Sequence, residues 1–198
     1  MAKIDVIITC FNKEALIGVA IQSVKNQTLE DFECFVIDDG STDNSEEAIV
    51  SAIDNDSRFT HVLLENCGVA NARNCGIALG RAPFVCCLDG DDAIKPTFLE
   101  TGCTGILERP GAGIVYTDAL LRHPNNKGDN LLKRPRYTVA NWNECDPQEQ
   151  FKGNNQVPCC NVFRKELWER LGGYRQRYAP QGAGSEDADF WTRIFRIG

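Results

Sequence analysis

A run of five apolar residues, Phe84 to Leu88, breaks off at three carboxylates within four positions, Asp89, Asp91 and Asp92. An apolar run of that length without a polar interruption predicts a short strand buried on both faces, as in a parallel sheet with helices on each side. Carboxylates at the C-terminal end of such a strand fall where open α/β sheets bind ligands. Side by side and unpaired they repel one another, so a cation is their natural partner. Gly90 permits a sharp turn, and Pro96 suits the first turn of the helix that follows. Asp92 reads equally as a helix cap and as a chemical group, whereas Asp89 and Asp91 read as a metal and phosphate site. A calcium loop of the EF-hand type is excluded, because Ala93 and Ile94 stand where that loop needs an oxygen ligand and a glycine.

The same alternation precedes this strand. Lys3 to Cys10 reads as a buried strand, and Leu16, Ile17, Ala20, Ile21 and Val24 recur at helical spacing. Cys34 to Ile37 is a second strand, followed by a helix marked by Ala48, Ile49, Ala52 and Ile53; His61 to Leu64 is a third, followed by a helix over Val69 to Leu79. Strand and helix thus alternate four times with short connections, which predicts βαβ units in a parallel, doubly wound sheet. After a helix containing Phe98, Leu99, Ile106 and Leu107, short strands are expected over Gly113 to Tyr116 and Ala119 to Arg122. Residues 123–156 are polar and irregular; Val157 to Arg164 reads as one more strand, and Lys165 to Leu171 as a helix stopped by Gly172-Gly173. Phe190, Trp191, Ile194 and Phe195 form an apolar stripe on a last helix. One domain is expected over 1–198.

Bulk properties narrow the function. A length of 198 residues suffices for one well-cored domain, and a net charge of −7 gives no support for nucleic-acid binding. The short basic cluster of Lys133, Arg134 and Arg136 reads as a solvated loop. No apolar run approaches a membrane span. The chain enters a strand almost at once and leaves no room for a signal peptide, so a cytoplasmic location is expected. Ten cysteines are present without a CxxC spacing, and they read as small buried hydrophobes in a reducing cytosol. The chain lacks GxGxxG after the first strand and has no GxxxxGK[ST], which argues against a dinucleotide cofactor and a P-loop NTPase.

Five segments, in order, resemble the family 2 glycosyltransferases of GT-A fold: VIITCFNKE, VIDDGSTDNS, ENCGVANARNCGIALGRAPFVCCLDGDD, VFRKELWERLGGY and SEDADFWTRI. The resemblance implies a nucleotide-sugar-binding half over 1–116 and an acceptor-side half over 117–198, with further acceptor elements expected after Gly198. It places Thr9, Phe11 and Asp39 in the nucleoside pocket, where the family more often has Pro and Tyr at the first two positions. Asn66 and Arg73 match positions near the nucleobase and diphosphate. Asp89 matches the carboxylate near ribose and donor sugar, and Asp91 the metal ligand of a DXD-type motif. Glu186 and Asp187 match the ED pair, in which the aspartate is the catalytic base.

The implied activity is an inverting transfer of a hexosyl or N-acetylhexosaminyl group, from a nucleotide sugar that is UDP-linked by resemblance, to a carbohydrate or other hydroxyl acceptor in polysaccharide biosynthesis. A divalent cation, Mn²⁺ or Mg²⁺, suits an all-oxygen site facing phosphate. Blander readings stand beside these. Arg73 reads also as a helix-surface charge, and Glu186 and Asp187 as first-turn acids favouring the helix dipole behind a Ser185 cap. The segment APQGAGS before them is either a loop or a flap over the donor. Two other functions stay open: a nucleotidyltransferase, although TCFNKEA lacks the glycines of its phosphate loop, and a nucleotide-sugar-binding module without transfer activity.

Overall fold

The computed structural model describes residues 3–123, 136–140, 148, 157–176 and 186–197. The first half alternates as β1 (Ile4–Cys10), α1 (Ile17–Lys25), β2 (Phe32–Asp38), α2 (Ser45–Ile53), β3 (Phe59–Leu63), α3 (Val69–Leu79), β4 (Phe84–Asp89) and α4 (Phe98–Glu108). It continues with β5 (Ile114–Val115), β6 (Ala119–His123), β7 (Arg136–Ala140), β8 (Val162–Arg164), α5 (Lys165–Leu171) and α6 (Glu186–Ile197). Among the described residues no helix is long and apolar enough to cross a membrane.

The main sheet has the order β3-β2-β1-β4-β8-β5. The first four strands run parallel, and β8 enters antiparallel beside β4, with β5 antiparallel to β8. The chain winds one way from β1 to β2 and β3 and the other way to β4. The ends of β1 and β4 therefore flank the switch point at which such sheets bind ligands. Register brings Thr9 opposite Asp89 and Cys10 opposite Asp38.

Both faces of the sheet are covered, which is why β1 and β4 could be almost wholly apolar. On one face Val6, Ile8, Cys86 and Leu88 pack with Ile17 and Ile21 of α1, Ile49 of α2 and Leu99 of α4. On the other, Ile7, Ile37, Val85 and Cys87 pack with Ile77 of α3, Phe163 of β8 and Phe190 and Trp191 of α6. Residues two apart share a face, as the strand period requires. Burying each such side chain stabilises the fold by roughly 1.5–3 kcal/mol. α3 lies close on the sheet at Gly76, where a Cβ would sit 2.5 Å from Ile7 Cγ2.

Several local expectations are revised. The reading of 123–156 as irregular missed β7, which pairs with β6 from Ala119↔Ala140 to His123↔Arg136. The strand expected over Val157 to Arg164 is confined to Val162–Arg164, since Pro158 cannot donate to a ladder. Pro96 lies outside α4, whose cap is Thr97; its carbonyl accepts from the Thr28 N–H instead. Gly90 serves close approach, since a Cβ there would meet the Thr9 carbonyl oxygen at 2.8 Å. The expected stop after α5 holds: Gly172 is left-handed, and the N–H groups of Gly172 and Gly173 return to the carbonyls of Glu169 and Trp168.

Candidate active site

The wall above β1 and β2 is built by two loops that satisfy each other. Asn12, with a positive φ of 53°, accepts at its Oδ1 from the Thr42 N–H, while its own N–H donates to Ser41 Oγ. The N–H groups of Lys13 and Glu14 donate to Ser45 Oγ and Asp43 Oδ2. The Asn44 N–H returns to Glu14 Oε2. Ser, Asp and Asn side chains bind neighbouring backbone in this way wherever a turn leaves it unpaired.

Asp39 closes the next side. Its carboxylate accepts from the N–H groups of Cys67 at 2.8 Å and Gly68 at 2.9 Å, at the N-terminus of α3, where negative charge is favoured. Asn66 Nδ2 donates to the Asp39 carbonyl at 3.0 Å. Gly40, at φ 74°, brings the two segments together, since a Cβ there would be 2.8 Å from Asn66 N. The Cys67 thiol also donates to Asp39 and is pushed up to about 11 by burial and by that carboxylate.

At the centre, Arg73 of α3 holds three carboxylates. Nη2 donates to Asp89 Oδ1 at 2.7 Å, and Nη1 donates to Glu186 Oε1 at 2.7 Å and to Asp187 Oδ1 at 2.6 Å. The residue is only 2% exposed, so it is no helix-surface charge. Burial opposes its charge, yet Asp187 and Asp89 hold it protonated well above its usual range. Asp187 is buried too, and this desolvation pushes it up to about 7 against the lowering effect of Arg73, with Glu186 and Asp89 adding to the rise. Thr9 Oγ1 makes a long contact of 3.4 Å with Asp89 Oδ1.

The carboxylates after β4 take different partners. Asp91 accepts from Lys13 Nζ at 2.5 Å, and that bond raises the lysine. Asp92 keeps an exposed face, but its carboxyl is crowded by protein and by the charges of Asp89 and Asp91, which together push it up. One ligand atom each from Asp89, Asp92 and Cys159 lies within 4.8 Å of the others. The Cys159 thiol donates to Asp92 and is pushed up by burial, so it departs from the expected all-oxygen site. The carboxylates of Asp89 and Asp92 beside Asp91 are what suit a divalent cation.

α6 is fixed by aromatic packing. Phe190 stacks 4.3 Å from Tyr174 and 5.6 Å from Phe163, and Trp191 lies 5.8 Å from Phe163. Tyr174 is set in turn by Asn74, whose Oδ1 accepts from the Tyr174 N–H and Trp168 Nε1 and whose Nδ2 donates to the Tyr174 carbonyl, each at 2.8 Å. Neighbouring residues of α3 therefore hold the carboxylates and the floor beneath them.

The structure brings Thr9, Arg73, Asp89, Glu186 and Asp187 into one cluster, with Asp39 and Asn66 in the adjoining wall. Phe11 stands 45% exposed on the rim. Sequence reasoning missed Lys13, Asn74, Cys159 and Tyr174. Lys13 had a signal, since it stands in the loop after β1; Cys159 had none. Ser185 and the segment 179–185 lie outside the described residues. A cavity of about 700 Å³ lies elsewhere, lined by Val115, Val157, Leu167, Ile194 and Phe195 among others, and receives none of these carboxylates.

The family model described as Glycosyl transferase family 2 matches residues 5–172. The GalNAc(5)-diNAcBac-PP-undecaprenol beta-1,3-glucosyltransferase of Campylobacter jejuni is 33% identical over 200 residues, covering 99% of this chain and 60% of that protein. An uncharacterized glycosyltransferase of Rickettsia bellii is 40% identical over 197 residues, covering 98% and 26%. The mannosyltransferase PcManGT from Pyrobaculum calidifontis, solved with GDP-Man and Mn²⁺, matches at TM-score 0.68 and 21% identity, over 99% of this chain and 52% of that one. S. aureus TarS 1-349 in complex with UDP matches at TM-score 0.69 and 20% identity, over 98% and 55%. The two solved structures show the likeness of fold. The chain spans at most 60% of the length of the two curated relatives named here.

Proposed function

The chain belongs to glycosyltransferase family 2 and has the GT-A fold, and on that premise we propose that it transfers a sugar, with inversion, from a UDP-linked donor to an acceptor hydroxyl. The observation that carries this reading is the meeting of Asp89, at the end of β4, and Asp187, at the start of α6, on one guanidinium at the switch point of the sheet. One carboxylate belongs to the strand that faces the donor and the other to the helix beyond it.

In this reading the nucleoside lies against Thr9, Phe11, Asp39 and Asn66, and Asp89 meets the ribose and donor sugar. The acceptor hydroxyl gives its proton to Asp187 as its oxygen attacks the anomeric carbon. The carbon–oxygen bond to the diphosphate breaks, and the nucleoside diphosphate leaves with the electron pair. A single displacement inverts the anomeric centre and needs no carboxylate nucleophile. Asp187, lifted to about 7 by burial, is suited to accept a proton near neutrality. Asp91, with Asp89 and Asp92 beside it, would hold Mn²⁺ or Mg²⁺ through carboxylate oxygens, and that ion would supply charge neutralisation for the departing diphosphate. Cys159, whose thiol is pushed up by burial and donates to Asp92, stays protonated and outside the ligand set. PcManGT was solved with Mn²⁺, which supports the cation. Its GDP-Man and the UDP-GlcNAc bound to TarS support a nucleotide sugar as donor. The free thiols among the described residues suit a cytoplasmic setting.

The test is a thermal-shift series with UDP-, GDP- and dTDP-sugars, with and without Mn²⁺, because a ligand of the native state raises its stability. A transfer assay on the full-length protein follows. UDP-sugars with Mn²⁺ should give the largest shift and support transfer. A shift with no nucleotide at all would overturn the reading.

A further inference from the structure

Arg73 faces more negative charge than it can neutralise: one guanidinium meets Asp89, Glu186 and Asp187 at 2.6–2.7 Å. Both terminal nitrogens are thereby engaged. The Tyr174 ring lies 5.5 Å from the guanidinium carbon, and the side chain is sealed from solvent. Three of its five N–H groups go to carboxylates, and the Nε–H is sealed from solvent without a protein partner among the described residues. A ligand of the donor diphosphate must instead present N–H groups to an open crevice.

Resting on the transferase reading above, we propose that Arg73 is a positioning residue that sets the base Asp187 against the donor-side Asp89, and that it does not bind the diphosphate. The planar fork of arginine fixes the spacing and orientation of two carboxylates, which the point charge of a lysine cannot do. Nη1 takes successive residues of α6, Glu186 and Asp187, and so fixes the first turn of that helix. Nη2 takes the last residue of β4. The guanidinium thus spans the distance between the donor strand and the base, and an error of about 1 Å in such a distance costs on the order of 10²-fold in rate.

The experiment uses the full-length enzyme and the variant Arg73→Lys, which keeps the charge and loses the fork. Turnover should fall about 10²-fold, with the UDP-sugar Kd weakened by less than about tenfold, since only the Asp89 contact to ribose and sugar is loosened. In the Asp187→Asn background the same substitution should add less than about threefold, because the group it positions is gone. A UDP-sugar Kd weakened more than about tenfold, or an equal loss of turnover in both backgrounds, overturns the proposal; the second result would mark a purely structural role. A further measurement needs no variant to fold. In ¹⁵N-labelled wild type with UDP and Mg²⁺, scalar coupling between the Arg73 guanidinium nitrogens and phosphorus would show a direct phosphate bond and also overturn it; its absence, with Nη–H protons still protected from exchange, supports the clamp. Failure of the wild type to transfer from any nucleotide sugar would instead strike the transferase reading. In that case a stability double-mutant cycle between Arg73 and Asp187 decides the clamp alone, with a coupling near zero overturning it.

Discussion

The guanidinium of Arg73 and the carboxylate of Asp187 meet at 2.6 Å across 114 positions of sequence, and both are buried. The pair sets two opposing effects against each other. The positive charge favours ionised Asp187, whereas removal from water disfavours it, and burial wins, leaving the group at about 7. A carboxyl that titrates near neutrality, held in a fixed orientation, suits the proposed role of general base.

Asp187→Asn should lower turnover by about 10²–10⁴-fold while the UDP-sugar Kd stays nearly constant, since the proposed base acts on the acceptor. Asp189→Asn should behave differently. Asp189 accepts from Arg193 Nε at 2.8 Å, and Arg193 reaches the carbonyls of Leu171 and Gly173, so this pair ties α6 to the end of α5. Its loss should cost about 1–3 kcal/mol of stability with turnover per folded molecule largely kept. Steady-state kinetics, calorimetry and denaturant unfolding on both variants check this, and the reverse ranking would remove Asp187 as the base.

The pH dependence carries a definite sign. As the proposed base, Asp187 must be ionised to accept a proton, so kcat/KM should rise about tenfold per pH unit below about 7 and level off above it. Stability runs the other way. The folded chain holds this proton from about 7 downward, the unfolded chain only from 3.8, so stability due to this group is full below about 4 and declines as pH rises to about 7. Asp187→Asn should therefore gain more thermal stability relative to wild type at pH 8 than at pH 5. Melting curves at the two values decide it, each kcal/mol being worth about 2–4 °C at this chain length.

Asp91→Asn should abolish the gain in UDP affinity that Mn²⁺ gives, because the amide keeps the shape and loses the ligating charge. Lys13→Gln should do the opposite. Lys13 occupies Asp91 at 2.5 Å in a solvent-exposed pair. Its removal should tighten Mn²⁺ binding by no more than about fivefold, the scale of an exposed ion pair. Calorimetric titration of UDP with and without Mn²⁺ checks the first, and titration of Mn²⁺ in the absence of nucleotide checks the second.

Gly90→Ala places a methyl group 2.8 Å from the Thr9 carbonyl oxygen and 3.2 Å from Ile17 Cδ1. The first of these is backbone and cannot swing aside. The variant should lose about 1–3 kcal/mol and bind UDP more weakly, since the ends of β1 and β4 are forced apart. Denaturant unfolding and a UDP titration measure the two effects, and an unchanged midpoint would show that the strands yield.

The alternation from β1 to α4 was legible because the buried strands are apolar runs and the helices carry apolar positions at helical spacing. The carboxylates of the site were legible as well, at strand ends and at the start of α6. Their partners were not. Lys13 and Asp91 are 78 positions apart, and Cys159 and Asp92 are 67 apart; nothing local to either residue announces such a pairing. Arg73 read as a surface charge or a phosphate ligand because a helical position does not reveal what covers it. Small neighbours, Ala70, Ala72 and Gly76, let α3 settle onto the sheet and carry the arginine inside. The strand β7 was overlooked although Tyr137 and Val139 alternate with Arg136 and Thr138; the run is only five residues long, and Arg136 belongs also to the basic cluster that reads as a loop.

β8 lies antiparallel along β4, pairing Phe84 with Arg164, Val85 with Phe163 and Cys86 with Val162. The segment that follows residue 116 in sequence thus closes the sheet begun before it. Dissecting the gene after residue 116 would therefore not release a free-standing half carrying the proposed nucleotide site. It would expose the backbone of an apolar inner strand as a raw edge, strip the aromatic cover from Ile7 and Val85, and give a fragment prone to pair with copies of itself.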